Sequence, residues 1–417
     1  MSTVRKTIFS SIALVMLLAG SKAGAQNTFN GDNTIQQDSA LYRVFKLLQH
    51  ADTSVVSILH LGDSHVQAGY FPQTNGGMMQ QQFGNAGRGF VFPYNLAGTN
   101  GPEDYRWSSP VKWNSERVVD RYKSPVLGPG AIVINTNTNS PSLSFLGRQD
   151  SFIENSFNEA DIFYDPGNDS SNVISNGADI VVTPMPFTGS PTIQRAALSY
   201  QELQQTFSVK FENTSKGPFR FYGAYLRNGE HGLIYSSVGI NGAMYQHYND
   251  FSNILLAQTA VMKPHLVIIS LGTNEAYGRF DALTFRNEID KMVTLFREQN
   301  PAVCILLTTP PDCMRVTHSS YRKKVHGKWR KYAKTTVTPN PYIAMASAQI
   351  EGYAREHGLA CWNFNAVNKI QRARFSQLWA PDHVHFSVKG YQLQGQLLNE
   401  AIQGAYRKYL AETKKTY

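Results

Sequence analysis

Five apolar runs of strand length, several of them separated by helical patterns, constrain this chain more than any other feature. They are Val55–Leu61, Leu233–Ile240, Leu266–Leu271, Val303–Thr308 and Leu359–Phe364. Runs apolar on both faces suit parallel strands covered by helices on each side. Helical partners are legible between and around them. Leu41, Val44, Phe45 and Leu48 form one stripe, Ile289, Met292, Val293 and Phe296 a second, and Ile350, Tyr353 and Ala354 a third. Leu393, Leu397, Ile402, Tyr406 and Leu410 predict a long amphipathic helix after Gly390. The expected class is α/β, with a doubly wound parallel sheet.

From about Tyr105 to Asn228 that rhythm breaks. The segment is rich in Asn, Ser, Thr, Gly and Pro, with short β-patterned runs at Ala131–Asn135, Leu143–Leu146, Ile180–Thr183, Phe207–Phe211 and Phe219–Leu226. Its one helix-like stretch lies around Ala197–Leu203. Short strands without long helices predict a β-sandwich inserted into the α/β domain. Asn228-Gly229 marks a turn where the chain re-enters the sheet. The expected organisation is a signal peptide over residues 1–25, a first α/β part over 26–104, the β-rich insert over 105–229 and the second α/β part over 230–417.

The signal reading rests on Arg5 and Lys6, an apolar Ile8-to-Ala19 core and Ala23-Gly24-Ala25 as a small-residue cleavage site. That core is shorter than the roughly 20 residues a membrane span needs. The mature chain is therefore expected to be exported, periplasmic or secreted, without a transmembrane anchor. Cleavage removes Arg5, Lys6 and Lys22 with no acid, so the formal net charge of +9 drops by three. Much of the remainder is local: Arg315, Arg322, Lys323, Lys324, Lys328, Arg330, Lys331 and Lys334 occur with no acid among them. Such a run reads as a solvated loop or helix face, or as a holder of an anionic polymer. In an exported protein an acidic glycan is the expected partner and nucleic acid is not. Three cysteines, Cys304, Cys313 and Cys361, are too few for a disulfide framework and lack zinc-site spacing, so burial is expected for all three.

The chemistry-bearing residues sit where the apolar runs stop. Gly62-Asp63-Ser64 ends the first run, placing a hydroxyl at the carboxyl edge of the sheet beside helix-start N–H groups. Asp382-His383-Val384-His385 precedes the final helix, and a carboxylate three residues ahead of an imidazole can orient it within one turn. His385 could then take the Ser64 proton while Asp382 steadies the ring, the arrangement of nucleophilic acyl transfer. Acyl transfer also needs oxyanion donors. Gly239-Ile240-Asn241-Gly242 and Gly272-Thr273-Asn274-Glu275 follow the second and third runs and therefore fall at the same edge. Either Gly239 or Gly242 can offer a bare N–H at close approach; the 32 positions to Asn274 and the second-glycine place favour Gly242. The glycine-x-serine-x-glycine elbow is absent, since Val66 holds the second glycine position. Asp382, His383 and His385 are too few ligands for a metal site, and no cofactor is expected. Asp63 is expected to hydrogen-bond within its turn. Trp107, Trp113, Tyr222 and Tyr225 are expected to pack in the insert, with sugar stacking as the alternative.

These motifs together resemble the SGNH, or GDSL-like, hydrolase superfamily. The resemblance covers about residues 38–100 and 230–405 and maps serine, glycine, asparagine and histidine onto Ser64, Gly242, Asn274 and His385, with Asp382 as triad acid. It implies a flavodoxin-like sheet, Ser64 as nucleophile, and an oxyanion hole of Ser64 N–H, Gly242 N–H and the Asn274 amide. His65 stands where the family name has leucine, and Glu275 where aspartate is commoner. The 178 positions from Ser64 to Gly242, filled by a β-rich insert, are similar to bacterial peptidoglycan O-acetylesterases, whose inserted module resembles a carbohydrate-binding domain. That resemblance implies removal of acetyl groups from the muramoyl 6-hydroxyl. The alternatives are an acetylesterase of another polysaccharide, such as xylan or an exopolysaccharide, and a non-catalytic cell-wall-binding protein.

Overall fold

Each apolar run becomes a strand because its side chains find cover on both faces. In Val55–Gly62, Val56 and Ile58 point into one buried cluster while Leu59 and Leu61 point into the other. The computed structural model describes residues 33–123, 126–148, 153–167, 171–185, 193–212, 214, 218–278 and 280–414. The expected signal segment, residues 1–25, lies outside them. The main sheet has seven strands in the order Ile35–Gln36, Ala360–Trp362, Cys304–Thr308, Leu266–Ser270, Val55–Gly62, Gly232–Gly239 and Asn85–Gly87. All neighbours run parallel except the short first strand.

Helices Tyr42–Leu48, Tyr70–Phe83 and Val388–Lys414 cover one face through Phe45, Phe71, Leu397 and Ile402. Helices Ser252–Met262, Ala282–Gln299 and Tyr342–Glu356 cover the other through Leu255, Ile289, Phe296 and Ile350. All the stripes read from the sequence are therefore core-facing, apart from Leu410, which is only partly buried. Two boundaries shift. Gly390 lies inside the first turn of the last helix, packed on Leu378 and Phe386, instead of ahead of it. The last strand is shorter than its apolar run, because Phe364 opens the helix Phe364–Ile370.

The β-rich stretch builds two antiparallel sheets. One has four strands in the order Asn172–Ile174, Thr206–Glu212, Ser142–Gly147 and Tyr105–Ser108. The other runs Asp179–Pro184, Gln194–Gln204, Phe157–Asp165, Phe219–Arg227, Ile132–Thr136 and Asn114–Arg117, and Gly89–Val91 joins it alongside Phe219–Arg227. Their inner faces meet through aromatic pairs, with Trp107 edge-on to Phe221 at 5.3 Å and Phe211 4.6 Å from Phe219. Trp107, Trp113, Tyr222 and Tyr225 are all buried, so they serve as packing residues and offer no face to a sugar. The helix-like Ala197–Leu203 is strand, part of Gln194–Gln204, which pairs with neighbours on both sides. Long-range pairing outweighs the local preference there.

The basic run is neither loop nor helix. Met314–Val325 and Lys328–Pro339 form a two-stranded antiparallel ribbon paired only with itself. Cys304, Cys313 and Cys361 are buried free thiols. No helix among the described residues is long and apolar enough to cross a membrane.

Candidate active site

Register brings three motifs to one line. Gly62 lies opposite Gly239 on one side and Ser270 on the other, so the turns after all three strands open at the same sheet edge. Gly62 is required there by crowding: a Cβ would stand 2.4 Å from Val66 Cγ2 and 2.8 Å from the Ser270 carbonyl. Asp63 then caps the short helix Ser64–Gln67, its Oδ1 accepting the His65 N–H at 2.9 Å. Ser64 is consequently the first helical residue, with its side chain on the cavity.

The loop before the last helix supplies the facing groups. Ser64 Oγ is 2.8 Å from His385 Nε2, and His385 Nδ1 is 2.6 Å from Asp382 Oδ2. Asp382 Oδ1 also accepts the Val384 and His385 N–H groups, each at 3.0 Å, which fixes the carboxylate within its own turn. Burial pushes the Asp382 carboxyl up, but the bonds from His385 and Val384 outweigh it and hold the group down at about 2. In the tautomer that donates Nδ1–H to this anion, Nε2 is the atom that can accept from the serine hydroxyl. This is a geometry able to remove a hydroxyl proton and to stabilise the imidazolium that results. His383 turns away, lining a separate cavity.

Ser64, Gly242, Asn274, Asp382 and His385 line one cavity of about 960 Å³. The two candidate glycines separate clearly. Gly239 packs against the nucleophile turn, where a Cβ would stand 2.2 Å from the Gln67 N, whereas Gly242, at φ 82°, has nothing within 4 Å of that position. Among the described residues neither Ser64 N–H nor Gly242 N–H has a hydrogen-bond acceptor. The Asn274 amide donates to the Ala243 carbonyl at 2.9 Å and makes a longer contact of 3.4 Å with Asp63 Oδ2.

Burial disfavours the charged forms of several titratable groups around this edge. It pushes the carboxyls of Asp63 and Glu275 up to about 7 and pulls the imidazoles of His60 and His65 down to about 3. His65 lies 5.2 Å, ring to ring, from His385, so its neutrality leaves no competing cation beside the base. Several supports carry no sequence signal strong enough to name them in advance. Gln67 accepts the Asn241 N–H at 2.6 Å and donates to the Asn100 carbonyl at 2.6 Å, while Asn100 Oδ1 takes the Asn241 amide at 2.7 Å. Together they hold the loop that presents Gly242. Tyr391 hydrogen-bonds His65 Nδ1 at 3.0 Å, and the Tyr248 hydroxyl donates to the Gly62 carbonyl at 2.8 Å. Glu275 Oε1 accepts the Tyr245 N–H at 2.8 Å, bracing the loop from the other side.

Comparison with known proteins now adds an independent observation. The sequence profile of the GDSL-like Lipase/Acylhydrolase family matches residues 206–393, a span that contains Gly242, Asn274, Asp382 and His385 but not Ser64. A solved structure described as a peptidoglycan O-acetylesterase in action superposes with a TM-score of 0.68 at 20% identity, over 91% of this chain and 99% of its own. The chain shares the fold of that structure. Residues 206–393 are thus similar to GDSL-like acylhydrolases, and the chain as a whole shares its fold with the peptidoglycan O-acetylesterase structure. A lipase/acylhydrolase from Enterococcus faecalis is 20% identical over 42% of this chain and 77% of its own, with a TM-score of 0.31. A G-D-S-L family lipolytic protein from Veillonella parvula is 16% identical over 41% and 81%, also at 0.31. No curated protein sequence matches the chain.

Proposed function

We propose that this protein is an exported serine esterase that removes O-acetyl groups from peptidoglycan. The observation that carries the reading is the hydrogen-bonded relay from Ser64 Oγ through His385 to Asp382, opening into the cavity that Gly242 and Asn274 also line. Ser64 Oγ attacks the ester carbonyl as His385 Nε2 takes its proton. The oxyanion is held by Ser64 N–H, Gly242 N–H and Asn274 Nδ2, which exchanges its long contact with Asp63 for the developing charge. His385 returns the proton to the departing sugar hydroxyl, and water repeats the sequence on the acetyl-serine to give acetate and free enzyme. The substrate rests on the likeness to a structure described as a peptidoglycan O-acetylesterase, and export rests on the signal pattern over residues 1–25.

Incubation with O-acetylated peptidoglycan tests both chemistry and substrate. Acetate release that disappears in Ser64→Ala is the expected result. Release undiminished in that variant removes the mechanism, and release from acetylated xylan but not from peptidoglycan reassigns the polymer.

A further inference from the structure

The basic ribbon has no role in the ester chemistry, yet it grows from the wall of the catalytic cavity. Val316, near its base, lines that cavity, and the Met314 N–H donates to the His383 carbonyl at 2.9 Å, inside the loop carrying Asp382 and His385. Each strand has 12 residues, about 40 Å of ribbon at about 3.4 Å per residue.

Charge on this ribbon is arranged at a cost. Arg322 lies directly opposite Lys331, and the next pair sets Lys323 against Arg330. Directly opposed like charges destabilise an antiparallel pair. A lone two-stranded ribbon has little stability to spare. None of these cations forms an ion pair with a described residue, and the segment contains no acid to offset them. Aromatic surface accompanies the charge: Trp329 is 67% exposed, and Tyr321 stacks on Tyr332 at 5.6 Å.

We infer that the ribbon is a docking arm for an anionic glycan polymer, holding carboxylate- or phosphate-bearing stretches of the chain whose acetyl ester enters the cavity. The inference rests on the esterase reading above and adds a selection for charged over neutral polymers. Two features favour a polymer over a membrane surface. Strand alternation puts cations on both faces, Arg322, Lys324 and Lys331 on one and Lys323, Lys328 and Arg330 on the other, where a flat bilayer would meet a single face. The turn itself is His326-Gly327, which carries no apolar side chain, and the aromatic Trp329 stands directly opposite Lys324. Continuity with the cavity then places a bound chain within reach of Ser64.

The test is the fivefold variant R322Q/K323Q/K324Q/R330Q/K331Q, which alters only exposed outer positions. Wild type and variant are compared on 4-nitrophenyl acetate, O-acetylated peptidoglycan and neutral acetylated xylan, between about 50 and about 300 mM salt. Expected results are unchanged turnover of the small ester and of xylan, and a KM for peptidoglycan raised about tenfold, with the wild-type salt dependence abolished. An unchanged KM on peptidoglycan, or an equal loss on xylan, overturns the inference. Co-sedimentation with insoluble peptidoglycan reads the arm without turnover. If wild type hydrolyses no ester yet sediments in a ribbon-dependent way, the esterase reading fails and the arm stands; equal sedimentation of both proteins overturns the arm. Ribbon-dependent binding to phosphatidylglycerol vesicles without a polymer effect also overturns it.

Discussion

The catalytic edge and the basic ribbon handle charge in opposite ways, although they share the Met314–His383 hydrogen bond. At the edge, burial holds His60 and His65 neutral and drives Asp63 and Glu275 toward their neutral forms, leaving Asp382 as the one firmly ionised group against His385. On the ribbon, cations face one another across the strands, and none of Arg322, Lys323, Arg330 and Lys331 forms an ion pair with a described residue. At that edge the ionised Asp382 carboxylate, hydrogen-bonded to His385, is the charge that faces the Ser64 hydroxyl. Leaving a ribbon of cations unpaired makes it useful only when something outside the chain completes it. On the proposed function, one region reacts and the other captures.

The largest effect that sharpens this contrast is expected at Ser64. In Ser64→Ala, kcat on a small acetyl ester should fall about 10⁶-fold, the scale on which loss of a triad nucleophile acts, with the ribbon's polymer binding unchanged. A parallel loss of sedimentation with peptidoglycan would erase the division of labour. Asp382→Asn should cost up to about 10⁴-fold in kcat, because the amide favours the wrong ring tautomer. Its carboxylate is half exposed, so water can partly replace it and the loss should fall short of that limit. Asn274→Ala should lower kcat about 10²- to 10³-fold with little change in KM, the signature of a group felt only in the transition state. A KM effect alone would assign Asn274 to ground-state binding.

A smaller effect should appear in stability. Burial raises the Asp63 carboxyl from 3.8 to about 7, so between those pH values the folded chain holds a proton that the unfolded chain releases. The stability tied to that proton is fully present below about pH 4 and is lost as pH rises through 7. Asp63→Asn keeps the oxygen that accepts the His65 N–H and removes the titration. Its urea midpoint should therefore gain on wild type between pH 4.5 and pH 7.5, by on the order of a few kcal/mol in unfolding free energy. His60 and His65, with lowered values, act in the opposite direction in both proteins and cancel from the difference. A midpoint difference independent of pH would show that Asp63 is ionised throughout.

The parts of the molecule that the sequence made legible are those specified locally. Five apolar runs became five strands, and because parallel strands in register end together, the residues that follow them, Ser64, Gly242 and Asn274, fall at one edge. What escaped was set by contacts distant in the chain. Ala197–Leu203 is strand because Ala197–Ser199 is paired on both sides, which no local window contains. The ribbon hid its period of two because cations occupy both faces, leaving no apolar alternation to detect. Gln67 and Asn100, which brace the Gly242 loop, are ordinary polar residues until the fold brings them to Asn241. Tyr391 had a weak cue, standing in the first turn of the final helix only six residues after His385, but its partner His65 lies at the far end of the chain.

The central claim is that Ser64 carries the acetyl group during turnover, and mass spectrometry of protein quenched during hydrolysis of 4-nitrophenyl acetate tests it most directly. The account predicts one added acetyl group, on the peptide containing Ser64, present during the burst and absent in Ser64→Ala. An acetyl group on any other residue, or turnover that persists in Ser64→Ala, would contradict it.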